Sequence, residues 1–257
     1  MSQSKNRVAI VSGAAQGIGE AFARRLAEEY EWVLAFDCQE SIVDRFANDR
    51  IVTMVADVSK REDVEAVVAK AADLGEIALL VNNAGRWKKT PVDSSWEQAV
   101  SDWDEIMDTN LRGVLMISRA VVPHMIRAGG GDIVHCSTYY VLPARSVGTN
   151  PPDTDLYNAS KWALNGFTDA WSKSLAKHHI RVNALCMGAT DTPMLQGLFP
   201  GGKYPPGLAE IVLSPDAIAE QLVDLIKDGR SGENIGAWIG YPVELGERRP
   251  PHKRITG

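Results

Sequence analysis

The chain has 257 residues, 45% hydrophobic and 23% charged, which suits one large core near the upper size of a single domain. A formal net charge of −6 argues against a general nucleic-acid or anionic-membrane binder. Cys38, Cys136 and Cys186 form no CxxC and no even framework, so a reducing, cytoplasmic setting is expected, and no apolar run approaches the ~18 residues of a bilayer span.

In chain order, "MSQSKNR" lacks the apolar region of a secretory leader and runs into a first strand at 7–12. "SGAAQGIGEAFARRLAEE" follows, with Gly13, Gly17 and Gly19 spaced G-x-x-x-G-x-G around Gln16 and Ile18. Glycines between a strand and a helix let the backbone approach a pyrophosphate, and the helix over 17–30 offers free N–H groups. A tight turn uses the same residues, but this placement points to dinucleotide binding. Strand 32–37 ends in Asp37, about 20 residues on, where a carboxylate bonds ribose hydroxyls and repels a 2′-phosphate. That favours NAD over NADP; an acidic strand cap is the plainer reading.

A third strand at 51–57 brings Asp57 and Val58 to the adenine, and a helix follows at 61–74. The fourth strand, 77–83, leads to "NNAG", where Asn83, Ala84 and Gly85 are short enough to admit the adenosine and ribose. Then come a helix at 96–128, a strand at 131–137, a helix at 156–178, a strand at 180–186, a helix at 214–229 and a last strand at 235–240. Apolar strands alternating with helices predict an α/β fold, a Rossmann-type doubly wound parallel sheet with helices on both faces. Two stretches resist the pattern: 143–155, rich in turn formers, and 192–207, where Pro and Gly interrupt an apolar run.

Tyr157 and Lys161 stand one helical turn apart and leave the same face. The pair alone allows a solvated couple or a phenol made acidic for proton transfer. The motifs in register resolve it: "SGAAQGIG", Asp37, "DV" at 57–58, "NNAG", "WDEIMDTNLRGV", "GGGDIVHCST", "YNASK", "IRVNAL" and "ATDTPM". Together they resemble the short-chain dehydrogenase/reductase family, over residues 7 to about 194.

The resemblance implies one domain moving a hydride between NAD(P) and a carbonyl or alcohol, in a homotetramer or homodimer built through the helices at 96–128 and 156–178. It implies Tyr157 as acid/base, Lys161 as its activator and Asn110 as a helix-kinking relay residue. It also implies Gly188, Thr190 and Thr192 at the nicotinamide end, Thr192 on the carboxamide. Thr192 before Pro193 also reads as a helix N-cap, and the two roles can coexist. The family's catalytic serine falls in register on Thr138; a one-residue shift restores Ser137, so both stand. Met187-Gly188 replaces the family's Pro-Gly, and the tail lacks its "VDGG" ending.

In this reading an adjacent ammonium lowers the phenol's pKa from about 10 toward neutrality. Tyr139, Tyr140, Met187, Met194 and Leu195 are the substrate candidates, with Trp87, Leu142, Leu198 and Phe199 nearby. They suggest an apolar, cyclic or aromatic secondary alcohol or ketone. Arg86, Lys88, Lys89 and Arg145 read as solvated charge, and the segment 190–213 as a substrate loop able to close. An NADPH-preferring reductase and a non-catalytic dinucleotide sensor are the alternatives; the sensor needs no Tyr157, Lys161 and Asn110 together. No metal site is expected.

Overall fold

The computed structural model describes residues 6–142 and 151–248. The first eight residues of the turn-rich stretch, with Arg145, lie outside the described residues. Among the described residues, seven parallel strands make one sheet: β1 Arg7–Ser12, β2 Trp32–Asp37, β3 Ile51–Val55, β4 Glu76–Asn82, β5 Gly131–Thr138, β6 Ile180–Met187 and β7 Asn234–Ala237. Their order is β3-β2-β1-β4-β5-β6-β7. The helices are α1 Gly17–Leu26, α2 Arg61–Leu74, α3 Trp96–Met107, α4 Val114–Ala128, α5 Asp155–Leu175, α6 Pro193–Gln196 and α7 Pro215–Asp228.

Alternate residues of each strand serve opposite faces. Val8 and Ile10 of β1 join Val64, Val67, Ile117 and Val121 beneath α2 and α4. Ala9 and Val11 join Phe22, Leu26, Ile218 and Leu222 beneath α1 and α7. Both faces are therefore covered, as near-continuous apolar strands require. Phe22 is fully buried, which contributes roughly 1.5–3 kcal/mol. From β1 the chain winds outward to β2 and β3, then returns to place β4 on the other side. Loops at the carboxyl ends of β1 and β4 part at this reversal and leave a crevice.

Three elements depart from the periodicity. The expected helix 96–128 is interrupted by a π-helical turn, Asp108–Gly113. Asn110 causes it to matter: its side chain accepts from Arg86 N (2.7 Å) and donates to Arg86 O (2.9 Å) and Ser160 Oγ (3.1 Å). The wide turn seats those tertiary bonds inside a helix, a common use of a π-bulge. Helix α1 stops at Leu26 rather than 30, with Tyr30 N closing the next turn on Leu26 O at 2.9 Å. The last strand is four residues, 234–237, because the chain turns at Trp238–Tyr241 around Gly240, whose φ is +75°.

Two peripheral segments are tied down. The atypical tail packs Val243 and Leu245 against the α1–α7 layer, and Gln221 Nε2 donates to Glu244 O at 2.9 Å. The excursion 190–213 is closed at its base by a bridge between Thr190 and Leu213. No helix among the described residues is long and apolar enough to cross a membrane.

Candidate active site

A cavity of about 770 Å³ opens over the carboxyl ends of the strands. Its first half is made by backbone. Gly13 and Gly17 have φ of +66° and +60°, which a side chain would strain. A Cβ on Gly19 would lie 2.0 Å from Gly13 O, so this third glycine lets α1 pack onto the turn. Gly19 therefore supports the cavity without lining it, a correction to its expected role. Gln16 precedes α1 without a side-chain cap, which leaves the helix's first N–H groups to an anion.

Asp37 is buried at the end of β2 and accepts from Ala15 N (3.1 Å) and Gln39 N (3.0 Å). These bonds hold the carboxylate in the cavity wall. Asp57 and Val58 line the same end. Burial raises the Asp57 carboxyl, but bonds from Ser59 and the charges of Lys60 and Arg86 outweigh it and leave the group low. Asn83 Nδ2 donates to Ser12 O and Gly13 O at 3.0 and 2.9 Å, and Ser12 Oγ accepts from Asn83 N and Ala84 N, both at 3.0 Å. Ser12 thus clips the β4 loop to the glycine turn. Gly85 lines the cavity beside them. The glycine cradle, open helix end and oriented carboxylate fit a dinucleotide.

The second half is made by side chains. Thr90 N bonds Asp153 O at 2.8 Å, Thr90 Oγ1 donates to Asp155, and Thr90 pairs with Thr154, anchoring the start of α5. One turn on, Tyr157 faces the cavity, and Lys161 Nζ lies 5.7 Å from its ring centroid. Lys161 is buried and donates to Cys136 O at 2.8 Å, an acceptor sequence reading missed. Burial, then the Tyr140 phenol, push the Tyr157 hydroxyl above the ordinary phenol range, while Thr138 opposes. Burial likewise holds the Lys161 ammonium below its usual range. Burial therefore works against the ionised phenol that the spacing of Lys161 would favour.

Ser137 and Thr138 both line the cavity; the Thr138 hydroxyl is the one that acts to lower the Tyr157 phenol, and it also accepts from Tyr140 N at 3.5 Å. Ser137 Oγ is buried and has no hydrogen-bond partner. Asn110 does not line the cavity; it acts through Arg86 and Ser160. Gly188, Thr190 and Thr192 line the opposite wall. A Cβ on Gly188 would lie 3.0 Å from Ile239 Cγ2, so glycine suits the turn after Met187. Thr192 Oγ1 caps α6 by accepting from Leu195 N at 3.2 Å, which leaves its proton free to donate into the cavity.

Tyr139, Tyr140, Met187, Met194 and Leu195 line the substrate end, with Trp87, Leu198 and Phe199. Leu142 is instead a core residue packed with Val141, Ala184 and Cys186. Lys88 is paired with the buried Asp102 and with Glu105, and Arg86, paired with Glu105, lines the cavity rather than standing as wholly solvated charge. Lys89 is an exposed residue on the cavity wall. Cys38, Gln39, Thr109 and Ala189 also line it; each adjoins a motif residue, the one signal that pointed to them.

The profile described as short chain dehydrogenase matches residues 7–202. This chain belongs to the short-chain dehydrogenase/reductase family. A 3-oxoacyl-[acyl-carrier-protein] reductase of Thermotoga maritima is 32% identical over 246 residues, covering 90% of this chain and 96% of the relative. A 2-(R)-hydroxypropyl-CoM dehydrogenase of Xanthobacter autotrophicus is 34% identical over 199 residues, covering 74% and 77%. Among solved structures, a 3-ketoacyl-(acyl-carrier-protein) reductase of Brucella melitensis complexed with NADH superposes with TM-score 0.75 at 28% identity, covering 90% and 96%. An actinorhodin polyketide ketoreductase with NADPH superposes with TM-score 0.80 at 27% identity, covering 91% and 96%. Membership in this family makes the chain an oxidoreductase that uses a nicotinamide dinucleotide in a Rossmann fold.

Proposed function

We propose that the protein is an NAD-dependent oxidoreductase acting on a secondary alcohol or the corresponding ketone. One observation carries this reading: a single cavity runs from the buried Asp37 carboxylate to the Tyr157 phenol. Asp37 would accept from the adenosine ribose hydroxyls, and a 2′-phosphate there would meet a fixed negative charge. Residues Gly13 to Gly17 and the start of α1 would hold the pyrophosphate, and Gly188, Thr190 and Thr192 the nicotinamide end. When bound, the dinucleotide gives or takes the hydride and, oxidised, carries positive charge that favours an ionised phenol.

Thr138 would donate to the substrate oxygen and orient it. Tyr157 Oη takes the hydroxyl proton during oxidation and returns it during reduction. Lys161, held by Cys136 O, keeps a cation beneath the phenol. Met187, Met194 and Leu195 would set apolar surface beside the reacting carbon. The names of the hydroxypropyl-CoM dehydrogenase and the acyl-carrier-protein reductases support alcohol–ketone interconversion.

Initial rates with NAD⁺ and NADP⁺ test the cofactor. We expect kcat/KM for NAD⁺ to exceed that for NADP⁺ by about 10-fold or more, and Asp37→Ser to remove the preference. An NADP⁺ preference in the native enzyme would establish the NADPH-type reductase instead; its support is the neighbour solved with NADPH.

The proposal includes a cytoplasmic setting, in keeping with three free cysteines. It also includes a homodimer or homotetramer: Trp96, Val100 and Trp103 form an exposed apolar stripe on α3, with Trp162 exposed on α5. Light scattering reads the assembly, and a monomer would reject it.

A further inference from the structure

Two carboxylates, Asp37 and Asp57, line the dinucleotide end of the cavity. A bound dinucleotide adds a diphosphate, so like charges would crowd a cleft that screens them less than bulk water does. The glycine turn and the start of α1 answer with partial charges alone. Among the described residues, three cations line the cavity: Arg86, Lys89 and Lys161. Lys161 is buried and donates to Cys136 O beside Tyr157. Lys89 adjoins Thr90, which pairs with Thr154 at the start of the helix that carries Tyr157. Both therefore belong to the substrate end, and Arg86 is left to face the carboxylates.

Arg86 follows Gly85 on the loop that Ser12 clips to the glycine turn. Asn110 grips its backbone from both sides, accepting from Arg86 N at 2.7 Å and donating to Arg86 O at 2.9 Å. The root of the side chain is thus fixed at the cavity wall, while the side chain itself is 47% exposed. Among the described residues its guanidinium makes one bond, from Nη1 to Glu105 Oε1 at 3.0 Å. An exposed pair of this kind contributes little and is readily exchanged. Glu105 would not be left bare, because Lys88 Nζ holds its other oxygen at 3.0 Å. The planar fork is then free to grip two phosphate oxygens at once. Its charge already reaches the dinucleotide end. Burial and then the Asp37 and Asp57 charges raise the Cys38 thiol, and Arg86 opposes them. At Asp57, Arg86 works with Ser59 and Lys60 against burial.

We propose that Arg86 is a further dinucleotide-binding residue: its guanidinium exchanges Glu105 for a phosphate of the bound dinucleotide and supplies the counter-charge of a pocket walled by two carboxylates. The phosphate belongs to the diphosphate or, in NADP, to the 2′ position. Glu105 competes with that phosphate for the guanidinium, so the two residues of one ion pair act on binding in opposite directions. This inference rests on the dinucleotide-binding part of the reading above and is independent of the choice between NAD and NADP. Loss of a charged hydrogen-bonding partner weakens binding by roughly 10- to 100-fold.

The test is a set of binding titrations, read by NADH and NADPH fluorescence at low and high salt, with the native protein, Arg86→Gln, Arg86→Lys and Glu105→Gln. Thermal melting checks that each variant folds. Arg86→Gln should raise the Kd by about 10-fold at low salt, and its Kd should depend less on salt than the native one. Arg86→Lys should recover part of the loss. Glu105→Gln should bind as tightly as the native protein or a few-fold tighter. A loss with both nucleotides places the charge on the diphosphate, and a loss with NADPH alone places it on the 2′-phosphate. A folded Arg86→Gln variant that binds both nucleotides within twofold of native would overturn the inference. So would equal losses in Arg86→Gln and Glu105→Gln, which would make the ion pair a structural brace. An unchanged salt dependence in Arg86→Gln would also overturn it, by moving the contact from a phosphate to the uncharged adenine. Native binding tighter to NADPH than to NADH counts against the NAD reading and leaves this inference standing.

Discussion

The two ends of the cavity are built by different means. At the β1–β2 end the contacts are almost all backbone: glycine turns with positive φ, the Ser12 clip and amide bonds to Asp37. At the β5–β6 end they are side chains: Thr138, Tyr140 and Tyr157, faced by the tied excursion 190–213. A backbone site changes little with one substitution unless a glycine is lost, so it suits a ligand common to many enzymes. A side-chain site is re-aimed by one residue, so it suits a ligand particular to one. That contrast fits a shared dinucleotide at one end and an individual substrate at the other.

The contrast can be broken most severely at the side-chain end. Tyr157→Phe should lower kcat/KM by roughly 10²- to 10⁴-fold while thermal melting and NADH binding stay near native. Rates near native would remove the phenol from the chemistry. At the backbone end the expected damage is to structure. Gly19→Ala places a Cβ 2.0 Å from Gly13 O and 2.5 Å from Asn83 Nδ2. It should cost about 3 kcal/mol, read as a melting temperature lower by about 10 °C, with dinucleotide binding lost together with stability. A variant that melts normally and binds NADH would show that the turn can yield.

Between the two ends, His135 is fully buried on β5, its Nδ1 3.1 Å from Asn82 Nδ2. Burial and then the Lys161 charge push its pKa from 6.5 down to about 3. A depressed folded-state pKa means that the unfolded chain takes up the proton first. The stabilising contribution of neutral His135 is therefore complete above about pH 6.5 and lost as pH falls toward 3. Melting curves from neutral to acid pH should show a shallower acid decline for His135→Gln than for the native protein. Parallel declines would mean that other groups govern the loss.

The smallest effect belongs to the excursion. Tyr204 Oη donates to Asp191 Oδ1 at 2.6 Å, and Gln196 Nε2 donates to the same oxygen at 2.8 Å. Tyr204→Phe removes one of two bonds and should raise substrate KM a few-fold, roughly twofold to tenfold. Limited proteolysis with and without NAD reads closure directly. Cleavage within 190–213 that is equal in both would count against a lid over bound cofactor.

The glycine turn, Asp37 and the Tyr157–Lys161 pair were legible because each depends on residues close in the chain: a strand end, a helix start, one helical turn. The effect of the Thr138 hydroxyl on Tyr157 was not, because the two stand 19 residues apart in the chain. The helix kink at Asn110 was implied only by the family resemblance, because what holds it is just as distant in the chain. Its partners are the backbone of Arg86 and the hydroxyl of Ser160, 24 and 50 residues away. Helical spacing shows Lys161 beside Tyr157 but says nothing of the burial that opposes ionisation of the phenol.

Local order in the chain thus settled the parallel sheet, the dinucleotide turn and the acid–base candidates. Apolar periods and glycine spacing act over a few residues and survive any arrangement of the rest. Folding alone settled the burial that acts on Tyr157, the partner of Lys161 and the ring contacts of Tyr139 with Tyr140 and Trp238. Burial and ring contacts are sums over groups that meet only when β5, α5 and the turn after β7 are packed together, and no stretch of sequence contains that sum.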